Sequence, residues 1–205
     1  MNKKKIGPMP MIWPHPTVLV GATTDGKPDF AAVAWTGVAA SNPASVTIAL
    51  QPHRWSLKGI YQNRAFSVNV PSRDQVKEAD YCGLVSGKDA DKVKDCKFKV
   101  FYGNIKTAPL IEQCPINLEC EVSHILNLGS HHLVVGKVIE VYVSEDCLTN
   151  DRPDIDKIKP FAFGPGKYYA IGEAFADAFK AGWEIKGGKG EIKSQKSKVK
   201  NTNQK

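Results

Sequence analysis

The stretch Thr17-Val18-Leu19-Val20-Gly21-Ala22-Thr23, followed by Thr24-Asp25-Gly26-Lys27 and then Asp29 to Trp35, sets the fold class. Asp-Gly between two apolar runs is a strong short-range hairpin signal, because Gly26 can take a positive φ without a Cβ clash. Two antiparallel strands are expected. Asn42-Pro43 then breaks the chain ahead of Val46 to Leu50, a β-branched third strand that Pro52 ends, and Ala65 to Val70 reads as a fourth.

Between those strands, Leu57, Ile60 and Tyr61 stand at helical spacing, which predicts a short helix with Ser56 as its N-cap. A second helix is expected after Pro71, with Ser72 and Gln75 at capping-box spacing, Val76, Ala79 and Leu84 as its apolar stripe and Gly83 at its frayed end. Ser86 to Thr107 is polar and reads as an ordered excursion. Ile116, Leu118, Cys120 and Val122 alternate with Asn117, Glu119, Glu121 and Ser123, so the first set is expected in a core and the second in solvent. His131 to Ser144 is apolar on both faces, which predicts a helix or another subunit against its outer side. Six or so short antiparallel strands with two inserted helices predict a closed barrel, mainly β, rather than a βαβ fold.

The bulk properties narrow the function classes. The chain of 205 residues suits one domain, and no apolar run approaches the length of a membrane helix. Gly7-Pro8-Met9-Pro10 stands where an export signal would need apolar residues. Five cysteines, an odd number without a C-x-x-C pair, fit reduced thiols in a cytoplasmic setting. The net charge of +7 sits at the ends, in Lys3, Lys4 and Lys5 and in the six lysines of residues 187–205, leaving a nearly neutral body. That distribution speaks against nucleic-acid binding by the folded part. Residues 1–186 are expected to form the domain and 187–205 a disordered basic tail, either simply solvated or an electrostatic tether to an acidic partner.

Local chemistry is sparse. His53-Arg54-Trp55-Ser56 precedes a helix, where free N–H groups favour a phosphate; the plainer alternative is that Ser56 only caps and Arg54 only faces water. Trp35-Thr36-Gly37-Val38 reads as a strand end entering a turn, with a flat apolar face at Trp35 and an approachable backbone at Gly37, although a tryptophan there is more often a core residue. Ser86-Gly87-Lys88 with Asp91-Lys92 is a polar loop that lacks the P-loop spacing. His124, His131 and His132 have no completing ligands at zinc spacing, and no G-x-G-x-x-G or G-x-S-x-G occurs. With no built-in reactive group in view, a borrowed cofactor is the expectation.

Taken in order, Pro16 to Gly21, Asp25 to Asp29, Ala34 to Gly37, Asn42-Pro43, Arg54 to Ser56, Phe66 to Pro71, Tyr81 to Gly83, Ser86-Gly87 and Asp91-Lys92 resemble the flavin reductase-like family, within it the flavoredoxins. Cys114 to Cys120, His131 to Val138 and Tyr168 to Gly172 continue the resemblance. It implies a Greek-key split β-barrel that binds FMN and works as a homodimer. Mapped here, the flavin ring would lie against Trp35 and the backbone of Thr36, Gly37 and Val38. The phosphate would lie by Pro52, His53 and Ser56, with Ser86 and Lys92 reaching the flavin and Asn69 supporting it. His131 and Phe161 or Phe163 would approach from a partner subunit or the C-terminal segment. Asp29 would add a carboxylate near the ring and lower its potential. No side chain is required as a catalytic acid or base. Electrons would come from NAD(P)H, as in a flavin reductase, or from a redox protein, as in an electron carrier.

Overall fold

Asp25 and Gly26 both take positive φ, 51° and 79°, and close a two-residue turn that pairs Thr24 with Lys27. This is the backbone shape that matches the twist of the strands it joins. The computed structural model describes residues 1–186, so the basic tail expected over 187–205 lies outside the described residues. Met1–Ile171 forms one compact unit, and Ala181–Lys186, in the segment after it, is a 3₁₀ turn.

In chain order the elements are β1 (His15–Pro16), β2 (Val18–Thr24), β3 (Lys27–Val33), β4 (Thr36–Ser41), β5 (Ala44–Leu50), α1 (Trp55–Asn63) and β6 (Ala65–Val70). There follow α2 (Val76–Leu84), α3 (Lys92–Asp95), β7 (Val100–Phe101), β8 (Leu110–Ile111), β9 (Ile116–Asn127) and β10 (His132–Val143). The last are β11 (Leu148–Thr149), β12 (Arg152–Pro153), α4 (Ile155–Ile158), β13 (Phe161–Gly164) and β14 (Lys167–Ala170). Among the described residues no helix is long and apolar enough to cross a membrane.

Seven strands make the main sheet in the order β3-β2-β6-β9-β10-β5-β4, antiparallel throughout. Its two edges, β3 and β4, are consecutive in the chain and joined only by Ala34 and Trp35. So short a link forces the sheet to curl until its edges approach. Because no ladder joins β3 to β4, the expected closed barrel is corrected to one split along this seam. A second correction concerns Trp35 to Val38: the turn lies at Asn42-Pro43, and Thr36–Ser41 is a strand of its own, paired with β5 through a bulge between Val38 and Ala40. Its small residues carry no apolar alternation that would have marked it.

The curled sheet encloses Val18, Val20, Ala31, Val33, Ile48, Phe66 and Val134, together with Leu57 and Ile60 from α1. Leu19 and Phe30 point the other way, into a second cluster with Ala79 and Cys82 of α2, Phe98 and Ile111. Both faces of β2 are therefore covered, which is why its run is almost continuously apolar. The Ser72 N–H donates to Gln75 Oε1 at 2.9 Å, the side-chain arm of the expected capping box, whereas Leu84 is exposed rather than part of the helix stripe.

β9 departs from the expected alternation. Asn117 and Glu119 are buried, not solvated: Asn117 donates to Asn69 and to the Ile111 carbonyl, and Glu119 is covered by Asn104 and Ile105 of the excursion over residues 86–107. Burial alone would raise the Glu119 pKa. It is nonetheless lowered, since the carboxylate accepts from the Ile105 and Asn104 N–H groups, the Asn104 amide and the Tyr142 hydroxyl.

Candidate functional site

Where the chain crosses the barrel seam, Trp35 is 40% exposed although its backbone is held by the Ala49 N–H, which donates to the Trp35 carbonyl at 2.8 Å. Its indole lies against the imidazole of His131, with ring centroids 4.3 Å apart and planes tilted by 33°. His131 is placed by the β9–β10 turn, where the Leu128 N–H donates to its carbonyl, and burial lowers its pKa, favouring the neutral ring. Beyond Trp35, β4 is the last strand of the sheet, so its outer backbone groups have no strand neighbour. The Thr36 hydroxyl is turned back to the Thr47 carbonyl at 2.8 Å, a Cβ on Gly37 would meet nothing within 4 Å, and Val38 is 85% exposed. The Thr36 N–H donates to the Ala34 carbonyl at 3.1 Å and the Gly37 carbonyl accepts from the Thr47 hydroxyl at 3.3 Å, so the edge is partly occupied; an aromatic pair beside such an edge still suits a planar heteroaromatic ligand.

β5 ends at Leu50, opposite His132, and leads into exposed Pro52 and His53. The expected cap of α1 is corrected here: Arg54 is the N-cap, and Ser56 is the second helical residue. The Leu57 N–H is bonded to the Arg54 carbonyl, while those of Trp55 and Ser56 have no acceptor inside the helix. Arg54 itself donates from one guanidinium nitrogen to the Gly83 carbonyl at 2.9 Å. The helix start, its partial positive charge and the guanidinium form an anion-attracting corner.

The Ser56 hydroxyl points inward and donates to Asp29 Oδ2 at 2.7 Å. The other Asp29 oxygen stands 3.1 Å from Lys92 Nζ, and each of these two residues is only 4% exposed. Lys92 also donates to the Phe30 carbonyl at 2.7 Å and lies 3.4 Å from that of Cys82, so three acceptors surround its ammonium. Asp29 is thus not a lone carboxylate: its charge is balanced inside the protein. Gly87 packs down on this group, since a Cβ there would run into the Asp29 carboxylate and come within 2.9 Å of the Trp55 ring. The Ser86 carbonyl accepts from the Asp89 and Ala90 N–H groups, which fixes the loop. Between this loop and the β2–β3 hairpin lies a cleft of about 680 Å³, bordered by Asp25, Lys27, Trp55 and Lys88.

The remaining expected residues stand elsewhere. Asn69 is wholly buried; its amide donates to the Leu19 carbonyl and Ser67, and its oxygen accepts from the Ile111 N–H and Asn117. Phe163 is half-buried, pairs with His15 of β1 and meets Tyr168 edge-on at 5.9 Å, while Phe161 is buried in the second core cluster. One pairing had no signal in the sequence. The Tyr61 hydroxyl lies 2.8 Å from His132 Nδ1, next to His131, and Tyr61 had counted only toward the apolar stripe of α1.

The flavin reductase like domain profile matches residues 11–172 of this chain. The flavoredoxin of Methanosarcina acetivorans is 36% identical, with a TM-score of 0.84 over 89% of this chain and 100% of that one. The flavoredoxin of Desulfovibrio vulgaris (Miyazaki F) is 35% identical, with a TM-score of 0.81 over 88% of this chain and 99% of that one. An uncharacterized protein of Pyrococcus abyssi is 27% identical over 145 residues, 71% of this chain and 83% of its own length. The matched span takes in every strand from β1 to β14, and the chain belongs to the flavin reductase-like family.

Proposed function

We propose that this protein holds FMN non-covalently and passes electrons through it. The observation that carries this reading is the Trp35–His131 ring pair beside the unpaired edge of β4. The ring system of FMN presents alternating donors and acceptors to the edge over Thr36 to Val38, apart from the Thr36 N–H, which donates to the Ala34 carbonyl, with Trp35 against its face. The phosphate goes to the corner formed by Pro52, His53, Arg54 and the start of α1. Ser86 borders the site from the loop, and Asp29, Ser56, Lys92 and Asn69 act behind it by fixing strands and helix rather than by touching the ligand. The bound flavin supplies the electron-accepting centre; the chain orients it and leaves one side open. A neutral His131 next to Trp35 adds no charge there.

As a flavin reductase, the protein takes hydride from NAD(P)H through that open side. A second reading, an electron carrier reduced by a redox protein, is favoured by the 36% and 35% identity to flavoredoxins over nearly the whole chain. The outer face of the sheet fits a homodimer. Val134 points into the core, so its neighbours Leu133 and Val135 face outward, and Leu126, opposite Leu133, is half-exposed beside them. A second copy would cover this apolar patch. All five cysteines are free thiols, as expected of a cytoplasmic protein.

The visible spectrum of the purified protein supplied with FMN tests the first claim; no flavin retained on desalting would overturn it. Anaerobic bleaching by NADH or NADPH supports the reductase. Bleaching by dithionite or a reduced ferredoxin, with none by either nucleotide, supports the carrier.

A further inference from the structure

The chain enters the fold through β1 and leaves it through β14, the two outer strands of the three-stranded sheet β1-β13-β14. Lys3, Lys4 and Lys5 precede the entry, and the six lysines of residues 187–205, against Glu191 alone, follow the exit. The body between them is nearly neutral. The excess charge of +7 is therefore carried on the two segments that run out from one small sheet.

Large apolar side chains accompany that charge. Ile12 is exposed on the way in, and Tyr169 and Ile171 are half-exposed on the way out. Phe175, Phe179 and Ile185, which follow, are 99%, 91% and 93% exposed. Phe175, Phe179 and Trp183 recur every fourth residue, whereas Asp177 and Lys180 between them neutralise one another in a 2.7 Å ion pair. Single apolar residues on a surface are ordinary, but three large ones left almost wholly in water within one short segment mark an interaction surface.

We propose that residues 172–186 and the lysines after them bind the surface of an anionic lipid bilayer. The chain lies on the membrane and does not cross it, which requires no spanning helix. Phe175, Phe179 and Ile185 enter the boundary between headgroups and acyl chains, where apolar side chains leave water without needing a matching pocket. The lysines meet the lipid phosphates from the water side, and Lys3 to Lys5 add to the same attraction. An acidic protein fits this segment less well, because it must offer a shaped pocket to each phenylalanine and a carboxylate at the place of each lysine. The lysines of residues 187–205 stand at irregular intervals among Ser, Asn, Gln and Gly, which suits a diffuse sheet of negative charge. The proposal does not depend on the flavin reading, since vesicle binding is measured with or without FMN.

The test sediments the full-length protein with vesicles of phosphatidylcholine alone and of phosphatidylcholine mixed with phosphatidylglycerol. Binding is expected to the mixed vesicles only and should fall as salt is raised, because the attraction is screened. Phe175→Ser together with Phe179→Ser should weaken it by about tenfold or more, with the melting temperature unchanged because both side chains lie in water. Lys193→Gln, Lys196→Gln, Lys198→Gln and Lys200→Gln together should weaken it to a similar degree and flatten its salt dependence. Sedimentation with neither kind of vesicle, or equally with both, overturns the proposal. So does a phenylalanine variant that binds vesicles normally but loses self-association in analytical ultracentrifugation, which assigns the two rings to a second copy. Binding to soluble polyglutamate with none to the mixed vesicles overturns it in favour of an acidic protein.

Discussion

Lys92 Nζ lies 3.1 Å from Asp29 Oδ1, with both side chains almost wholly removed from water. The pair joins α3 to β3, and Ser56 on the second oxygen of Asp29 brings in α1. Burying two charges gains little net stability, but removing one partner strands the other. Lys92→Met should therefore cost about 3–5 kcal/mol, read as a lower urea midpoint. Lys92→Met combined with Asp29→Leu should recover much of that loss, because no buried charge is left unpaired.

The loop that covers this pair has no room for a side chain at Gly87, where a Cβ would strike the Asp29 carboxylate and come within 2.9 Å of Trp55. Gly87→Ala should destabilise the fold by about 1–3 kcal/mol through overpacking. It should also weaken FMN retention by shifting Trp55 at the start of α1, and thermal melting with and without added FMN separates the two effects.

Trp35 is exposed, so truncating it tests the ligand rather than the core. Trp35→Ala should leave the melting temperature nearly unchanged. FMN affinity should fall about tenfold, the worth of one aromatic contact of about 1–1.5 kcal/mol, measured by flavin fluorescence titration.

Glu119 gives a pH signature. Its folded pKa is below the ordinary glutamate value of 4.5, so its contribution to stability is fully present above that value and is lost as pH falls through the lower folded one. Glu119→Gln should cost about 1–3 kcal/mol at neutral pH, since some of its donors lose an acceptor. It should also flatten the acid limb of the stability profile, which urea titrations across the acid range would show.

Much of the fold was legible because it is local. The Asp25-Gly26 turn, the Ala65–Val70 strand and the Ser72–Gln75 box each depend on residues a few positions apart, and the backbone follows them directly. β4 was read as a turn because Thr-Gly-Val-Ala-Ala-Ser has no periodic apolar face, and pairing with β5 makes it a strand. Ser56 was read as a cap from its place before Leu57, although its partner, Asp29, lies on a different strand.

The sequence by itself determined the antiparallel class, the hairpin register and the order of family motifs, since these rest on periodicity and turn chemistry. Tertiary structure decided which polar residues reach the surface and which are spent internally. Lys92 and Asn69 are bonded to Asp29, Phe30, Leu19 and Ile111, which only the fold brings to them across the chain. The seam was decided in the same way. A link as short as Ala34-Trp35 constrains where two edges meet, but whether they also form a ladder depends on the curl of all seven strands together.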